Sequence, residues 1–362
     1  MIRVISRRLG NSTINPHSQS NKIYIKGSKC FDMVSREVEA IKSHIQSLVN
    51  NRHNSVLDHA GKYTLEGSSK LMRPALIVLM AHAMVKREVS MRFSESEIGS
   101  LNDITPGTIL PFLRLAEVTE LIHTASLVHD DVIDNSDMRR GRPALHTVYG
   151  IKHAILAGDY LLARASLYIA TLQMPRIVVL MSTALEELTT GELMQMDGCF
   201  NIEHYEQKSF CKTASLISNS LASTAVLADP GNEELELLAF KFGKHLGIAF
   251  QIVDDCLDIM GDEKELLKPK MADLNQGIAT MPVLLAAQKD SKVDAAVRRR
   301  FTAEGDIDYC IQVIKKMGTV DEALQKANDH CQLGLAQLRK LHASPARDSL
   351  EASLKLVLER RF

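Results

Sequence analysis

Two aspartate clusters, Asp130-Asp131-Val132-Ile133-Asp134 and Asp254-Asp255-Cys256-Leu257-Asp258, repeat the pattern D-D-x-x-D about 120 residues apart. On a helix that turns 100° per residue, Asp130 and Asp134 stack one turn apart on one face, with Asp131 on the flank and His123 two turns back. Asp254 and Asp258 stack in the same way, preceded by Gln251 and Gly247. Two carboxylates about 6 Å apart repel by about 3 kcal/mol at an effective dielectric of 20, a cost that a cation removes. A donor set of oxygens without Cys or His selects a hard ion, Mg²⁺ before Zn²⁺. Mg²⁺ keeps water and binds through one or two carboxylates plus substrate phosphates. Two such strips facing each other predict a diphosphate clamped between them. One copy alone reads equally well as a solvated helix end; a second copy on a second apolar helix weighs against that.

A diphosphate needs cations and donors as well. Lys70 and Arg73 stand one turn apart at the start of a helix, and Arg139-Arg140-Gly141 follows the first cluster. Arginine grips phosphate with a planar fork. Lys212 and Thr213 open another helix, where unbonded N–H groups favour anions. Lys268 follows the second cluster. Each taken singly reads as an ordinary surface charge; their placement beside the acidic strips sets them apart.

The elements that must position these groups are helical. Val34, Val38, Ile41, Ile45 and Leu48 recur at steps of four and three, and a second helix follows Pro74 through Ala75–Met80. Leu115, Val118, Ile122, Ala125, Val128 and Val132 stripe the helix that carries the first cluster. Further apolar periodicity covers 150–171, 176–196, 211–227, 233–260 and 280–288, and another helix starts near Asp306. Residues 86–110 read as a loop. No strand alternation, repeat or linker divides 32–362, which predicts a single large all-α bundle of antiparallel helices.

Composition narrows the function. The chain has 362 residues, 45% of them hydrophobic, a formal net charge of -1, 5% aromatics and no tryptophan, which argues against a nucleic-acid partner. None of the six cysteines forms a C-x-x-C pair, so buried thiols in a reducing compartment are expected. The longest apolar run, Ala75–Met80, is far short of a transmembrane segment. Residues 1–31 hold arginines, lysines and serines but no acid, the composition of an organellar transit peptide, mitochondrial before plastid; a basic tail without an address is the other reading.

From Lys70 to Pro282 these residues resemble the trans-isoprenyl diphosphate synthases, and in particular the long-chain polyprenyl synthases that supply ubiquinone side chains. The likeness rests on Leu127–Asp134, Arg139-Arg140-Gly141, Leu156-Ala157-Gly158-Asp159, Gly191–Gln195, Lys212-Thr213-Ala214, Phe250–Asp258, Lys268-Pro269 and Ala272-Asp273-Leu274. It implies a helical bundle around a deep cavity, usually dimeric, that adds isopentenyl diphosphate head-to-tail to an allylic diphosphate. Asp130, Asp131, Asp134, Asp254, Asp255 and Asp258 would bind Mg²⁺, three ions per site. Lys70, Arg73, His123 and Arg140 would grip isopentenyl diphosphate, and Arg139, Lys212, Thr213, Gln251 and Lys268 the allylic diphosphate. The resemblance extends to a homodimer or heteromer with peripheral membrane contact for product release, and to a mitochondrial, plastid or cytoplasmic site of action. Small Ser126, one turn below Asp130, and Ala125 on its flank would leave a tunnel where short-chain relatives carry an aromatic plug; tight helix packing at Ala125, and a shorter-chain geranylgeranyl or farnesyl diphosphate synthase, are the other readings. The family's Gly-Gly-Lys-Arg turn reads Ser68-Ser69-Lys70-Leu71 here, one cation fewer, and Ile278 stands where some members have lysine. Three rivals fit less well. An HD-type phosphohydrolase wants more histidines, a regulatory partner subunit would show degenerate motifs, and a terpene cyclase gives no use to Lys70 and Arg73.

Overall fold

Helical periodicity becomes helix along most of the chain in a computed structural model, which describes residues 29–49, 55–65, 71–85, 107–260 and 271–360. A 3-10 turn (Lys29–Val34) leads into α1 (Ser35–Leu48), α2 (Ser55–Leu65), α3 (Met72–Met84) and α4 (Leu110–Ile133). A hairpin of two-residue strands, β1 (Met138–Arg139) and β2 (Arg142–Pro143), precedes α5 (Leu145–Tyr149), α6 (Ile151–Thr171), α7 (Pro175–Asp197) and α8 (Ile202–Ser209). A π-helical turn (Phe210–Ala214) continues into α9 (Ser215–Ala228), then α10 (Glu233–Met260), α11 (Ala272–Asn275), α12 (Met281–Ala287), α13 (Ser291–Arg298), α14 (Asp306–Met317), α15 (Thr319–Leu338) and α16 (Pro345–Leu358). The expected segments are matched by α6, α7, α10, α12 and α14, while 211–227 divides into the π turn and α9. Most of the loop expected at 86–110, and nearly all of the expected leader, fall outside the described residues. Residues 29–31, assigned by composition to the leader, belong to the packed 3-10 turn, where Cys30 is buried and Phe31 lies against the core.

The core is centred on α9, which packs against α3, α4, α7 and α10. Its sequence is rich in serine, yet Ser215 to Val226 is buried throughout. Four of its five hydroxyls are satisfied along the chain itself: Ser215, Ser218, Ser223 and Thr224 donate to the carbonyls of Cys211, Ala214, Asn219 and Ser220 at 2.7–2.9 Å, while Ser220 bonds Thr119 of α4 at 2.8 Å. Back-bonding of this kind removes the desolvation penalty that would otherwise bar hydroxyls from a core. Helix α4 is likewise buried beyond its apolar stripe. Glu117 accepts from Arg114 and pairs with His44, each at 2.6 Å, and Arg114 lies over the Tyr168 ring. The two aspartate-bearing helices, α4 and α10, thus flank one shared helix.

Helices α10 and α15 meet at a histidine pair, with His245 Nδ1 and His330 Nδ1 3.0 Å apart. Burial lowers His245 to about 4, and His330, Lys244 and Lys241 add to the effect. Burial also lowers His330, opposed by Glu206 and Asp329 and reinforced by Lys244 and Lys326. A histidine with a depressed folded pKa contributes its full stability above the unfolded value and loses it as pH falls toward the folded one. The melting temperature should therefore drop between about pH 6.5 and pH 4, and more gently in His245→Phe. Thermal melts across this range check it, and equal slopes in the two proteins would refute it.

Candidate active site

The C-terminal turn of α4 carries the first aspartate cluster toward α7 and the π turn. Burial pushes Asp130 up to about 6; Lys212 opposes the rise, and Glu192 and Asp134 add to it. Asp134 is raised as well, by burial, with Lys212 and Glu192 again the next contributors. Asp131 points elsewhere: it is buried and accepts Arg139 Nε at 2.7 Å, with Arg139 Nη2 on the same oxygen. Arg139 lies in β1, and Arg140 and Gly141 form the hairpin tip with φ of 52° and 74°. Glycine takes that left-handed backbone freely, whereas Arg140 is held there at a cost of about 1–2 kcal/mol. The hairpin thereby keeps two guanidinium groups beside the first cluster.

The second cluster ends α10. Asp254 accepts Arg360 Nη1 at 2.5 Å, and that guanidinium lies 4.3 Å from the centre of the Phe250 ring. Asp255 is buried and accepts from Tyr205 Oη at 2.5 Å, Gln251 Nε2 at 2.8 Å and the Met281 amide at 3.4 Å. Asp258 accepts from the backbone amides of Ala272 (3.2 Å) and Asp273 (3.3 Å), anchoring the chain where it re-enters α11. In both clusters, then, the middle aspartate is bonded inside the protein, while Asp130 and Asp134 stand among charged groups, Asp254 meets Arg360 and Asp258 takes backbone amides.

The π turn joins the two walls. Lys212 pairs with Glu192 at 2.5 Å and acts on Asp130 and Asp134, whereas the next residue, Thr213, donates to Gln251 Oε1 at 2.6 Å. Arg73 makes a second link, since its charge interacts with Glu120, Arg140 and Asp254. Its Nε is buried and has no hydrogen-bond partner among the described residues. His123 lies well below its ordinary pKa through burial and the nearby charges of Arg73, Arg140 and Arg139, so it is neutral and can donate a hydrogen bond without adding charge. A cleft of about 510 Å³ is lined by Tyr63, Thr124, Asp131, Arg139, Arg140 and Arg142. A second, of about 340 Å³, shares Thr124 and Arg140 and adds Lys42, Leu71 and Glu120.

Of the residues expected from the sequence, Asp130, Asp134, Arg139, Lys212, Thr213, Gln251 and the second aspartate cluster are brought together, with Arg73, His123 and Arg140 on the hairpin side. Lys70 and Lys268 lie outside the described residues. Ala125 is fully buried, and Ser126 donates to the His123 carbonyl at 3.0 Å. Lys42, Glu192, Tyr205 and Arg360 were not assigned roles from the sequence. Glu192 lies inside the quoted Gly191–Gln195 stretch; the other three carry no local signal.

The donors fit a hard divalent cation. Among the described residues no three His, Cys, Asp or Glu side chains form a ready-made cage. Carboxylates are nevertheless held close against their mutual repulsion, and Glu192 Oε1 is buried without a hydrogen-bond partner among them. That suits an ion completed by water and substrate phosphates.

The family model for polyprenyl synthetase matches residues 54–314. A mitochondrial relative from Neurospora crassa, described as a probable hexaprenyl pyrophosphate synthase, is 35% identical over 88% of this chain and 78% of its own. The heptaprenyl diphosphate synthase of Staphylococcus aureus superposes with a TM-score of 0.79 at 29% identity, covering 90% of this chain and 98% of that one. A Caulobacter crescentus polyprenyl synthase complexed with calcium and isoprenyl diphosphate gives 0.77 at 26% identity, covering 92% and 97%.

Proposed function

The chain belongs to the polyprenyl synthetase family, and from that premise we propose that it is a trans-polyprenyl diphosphate synthase, adding isopentenyl diphosphate to an allylic diphosphate to build a long chain for ubiquinone. The observation that carries this reading is the junction of both D-D-x-x-D walls on Lys212 and Thr213.

The residues divide the work. Asp130 and Asp134 hold metal on one wall, and Asp254 and Asp258 on the other; three ions per site are proposed. Magnesium supplies the positive charge that stabilises the departing diphosphate. Asp131 and Asp255 brace the walls through Arg139, Gln251 and Tyr205. Arg139, Lys212, Thr213, Gln251 and Lys268 hold the allylic diphosphate. Lys70, Arg73, His123 and Arg140 hold isopentenyl diphosphate, whose double bond attacks the allylic carbon as its C–O bond breaks. The proton lost afterwards goes to the released diphosphate.

Small residues at 125 and 126 leave room for the growing chain. Incubating the protein with Mg²⁺, labelled isopentenyl diphosphate and farnesyl diphosphate, then sizing the extracted product, tests the function: a long polyprenyl product is expected, and none would defeat it. Ala125→Phe should shorten that product, and an unchanged length would argue against the tunnel. Because Ala125 is fully buried, some overpacking is expected too, about 1–3 kcal/mol.

A homodimer fits the exposed apolar side chains Ile151, Ile155, Leu156 and Leu167 on α6 and Val178 and Val179 on α7; sedimentation of Leu156→Asp as a dimer would count against that face. No helix among the described residues is long and apolar enough to cross a membrane. Mitochondrial delivery rests on the leader's composition and the mitochondrial relative; failure of residues 1–31 to carry a reporter into mitochondria would remove it.

A further inference from the structure

Helix α7 crosses the π turn at Gly191. A Cβ there would lie 2.4 Å from the Lys212 backbone nitrogen and 2.8 Å from its Cα, so only glycine allows so close an approach. The approach seats the next side chain, Glu192, against the lysine, with Oε2 2.5 Å from Lys212 Nζ. The other oxygen, Oε1, is buried and has no hydrogen-bond partner among the described residues. Glu192 also acts electrostatically on both Asp130 and Asp134. A carboxylate serving only as the lysine's counter-ion would turn its second oxygen to water. Here that oxygen is buried, and Asp130 and Asp134 both feel the Glu192 charge, an arrangement suited to a hydrated cation.

Resting on the metal wall proposed above, we infer that Glu192 is a positioning residue with two tasks. Oε2 sets Lys212 for the allylic diphosphate, and Oε1 accepts a hydrogen bond from water carried by the ion that Asp130 and Asp134 hold. Magnesium gives up its water reluctantly, so such outer contacts help place it. Glu192 thus couples the two parts of the site, since the same carboxylate orients the metal's water and the lysine that meets the phosphate.

The test is a titration of Mn²⁺ in the presence of inorganic diphosphate, with free Mn²⁺ read by electron paramagnetic resonance. Glu192→Gln should bind Mn²⁺ about tenfold more weakly than the native protein, the usual size of a second-layer loss. If Glu192→Gln stays within about twofold of native and only the KM for allylic diphosphate rises, Glu192 is a counter-ion and the inference is overturned. Asp130→Asn runs in parallel: unchanged affinity there would bring down the metal wall itself, whereas weakened affinity in Asp130→Asn alone brings down only Glu192. Should Glu192→Gln fail to fold by circular dichroism, Glu192→Asp carries the test. Threefold weaker binding is then the expectation, roughly, and native affinity overturns the proposal.

Discussion

Asp130→Ala should lower kcat/KM by about a thousandfold or more, ~4 kcal/mol of transition-state stabilisation, while the circular dichroism spectrum stays native. The unusual half of this expectation concerns stability. Burial lifts Asp130 to about 6 from an ordinary 3.8, so the folded protein ionises it only above that pH, and at a cost. The sign follows from linkage: the folded carboxyl holds its proton more tightly than the unfolded one, so ionising it at neutral pH costs the fold on the order of 2 kcal/mol. Removing the side chain removes that cost. The alanine variant should therefore melt no lower than the native protein in metal-free buffer, and it should gain less on adding Mg²⁺ with diphosphate. Asp254→Ala should lose activity to a similar extent, but its stability change also includes the broken Arg360 contact. Initial rates beside thermal melts decide the matter. Near-normal turnover in either variant would remove that aspartate from the metal wall.

Gly247→Ala should destabilise the protein by about 2–3 kcal/mol and reduce turnover, although alanine is the better helix former by about 1 kcal/mol. The reason is contact with backbone. A Cβ at Gly247 would lie 2.5 Å from both Cα and Cβ of Ala214, at the end of the π turn, and one at Gly243 would lie 2.7 Å from the Ser218 Cα. Neither neighbour is the far end of a flexible side chain, so α10 would have to move away from the π turn and α9. Thr213 and Gln251 span that same crossing, and their 2.6 Å bond would stretch with it. Differential scanning calorimetry and steady-state kinetics are the measurements. A raised melting temperature would mean that the crossing has slack and that glycine is there for another reason.

Much of the bundle was legible because large apolar residues mark it. The stripe from Leu115 to Val132 and the run from Ala75 to Met80 both became buried helix. Helix α15 was missed for the opposite reason: its buried positions are Thr319, Ala323, Ala327, Cys331, Gly334 and Leu338, mostly small residues that form a close-packed seam without a hydrophobic signal. Spacing puts Asp130 and Asp134 one turn apart at the end of α4, and Asp254 and Asp258 one turn apart on α10, and both helices are present. It could not show that Asp131 and Asp255 turn inward, because their partners, Arg139 and Tyr205, are supplied by other elements. Arg360 stands 106 residues from Asp254 in sequence, and only the fold brings them together. Ser215, Ser218 and Ser223 of α9 read as polar until the carbonyls four residues back are counted as their partners.

The π turn at Phe210–Ala214 puts a constraint on length as well as on identity. A wider turn takes in an extra residue at the place where Lys212 serves one wall and Thr213 the other. Deleting a single residue there would rotate all of α9 by about 100° relative to α8. Hydroxyls that now bond inside the core would face apolar neighbours, and lysine and threonine would trade walls. Insertions and deletions, harmless in many surface loops, should be purged from this segment more severely than substitutions, so the family's divergence here ought to proceed by exchange of side chains at constant count.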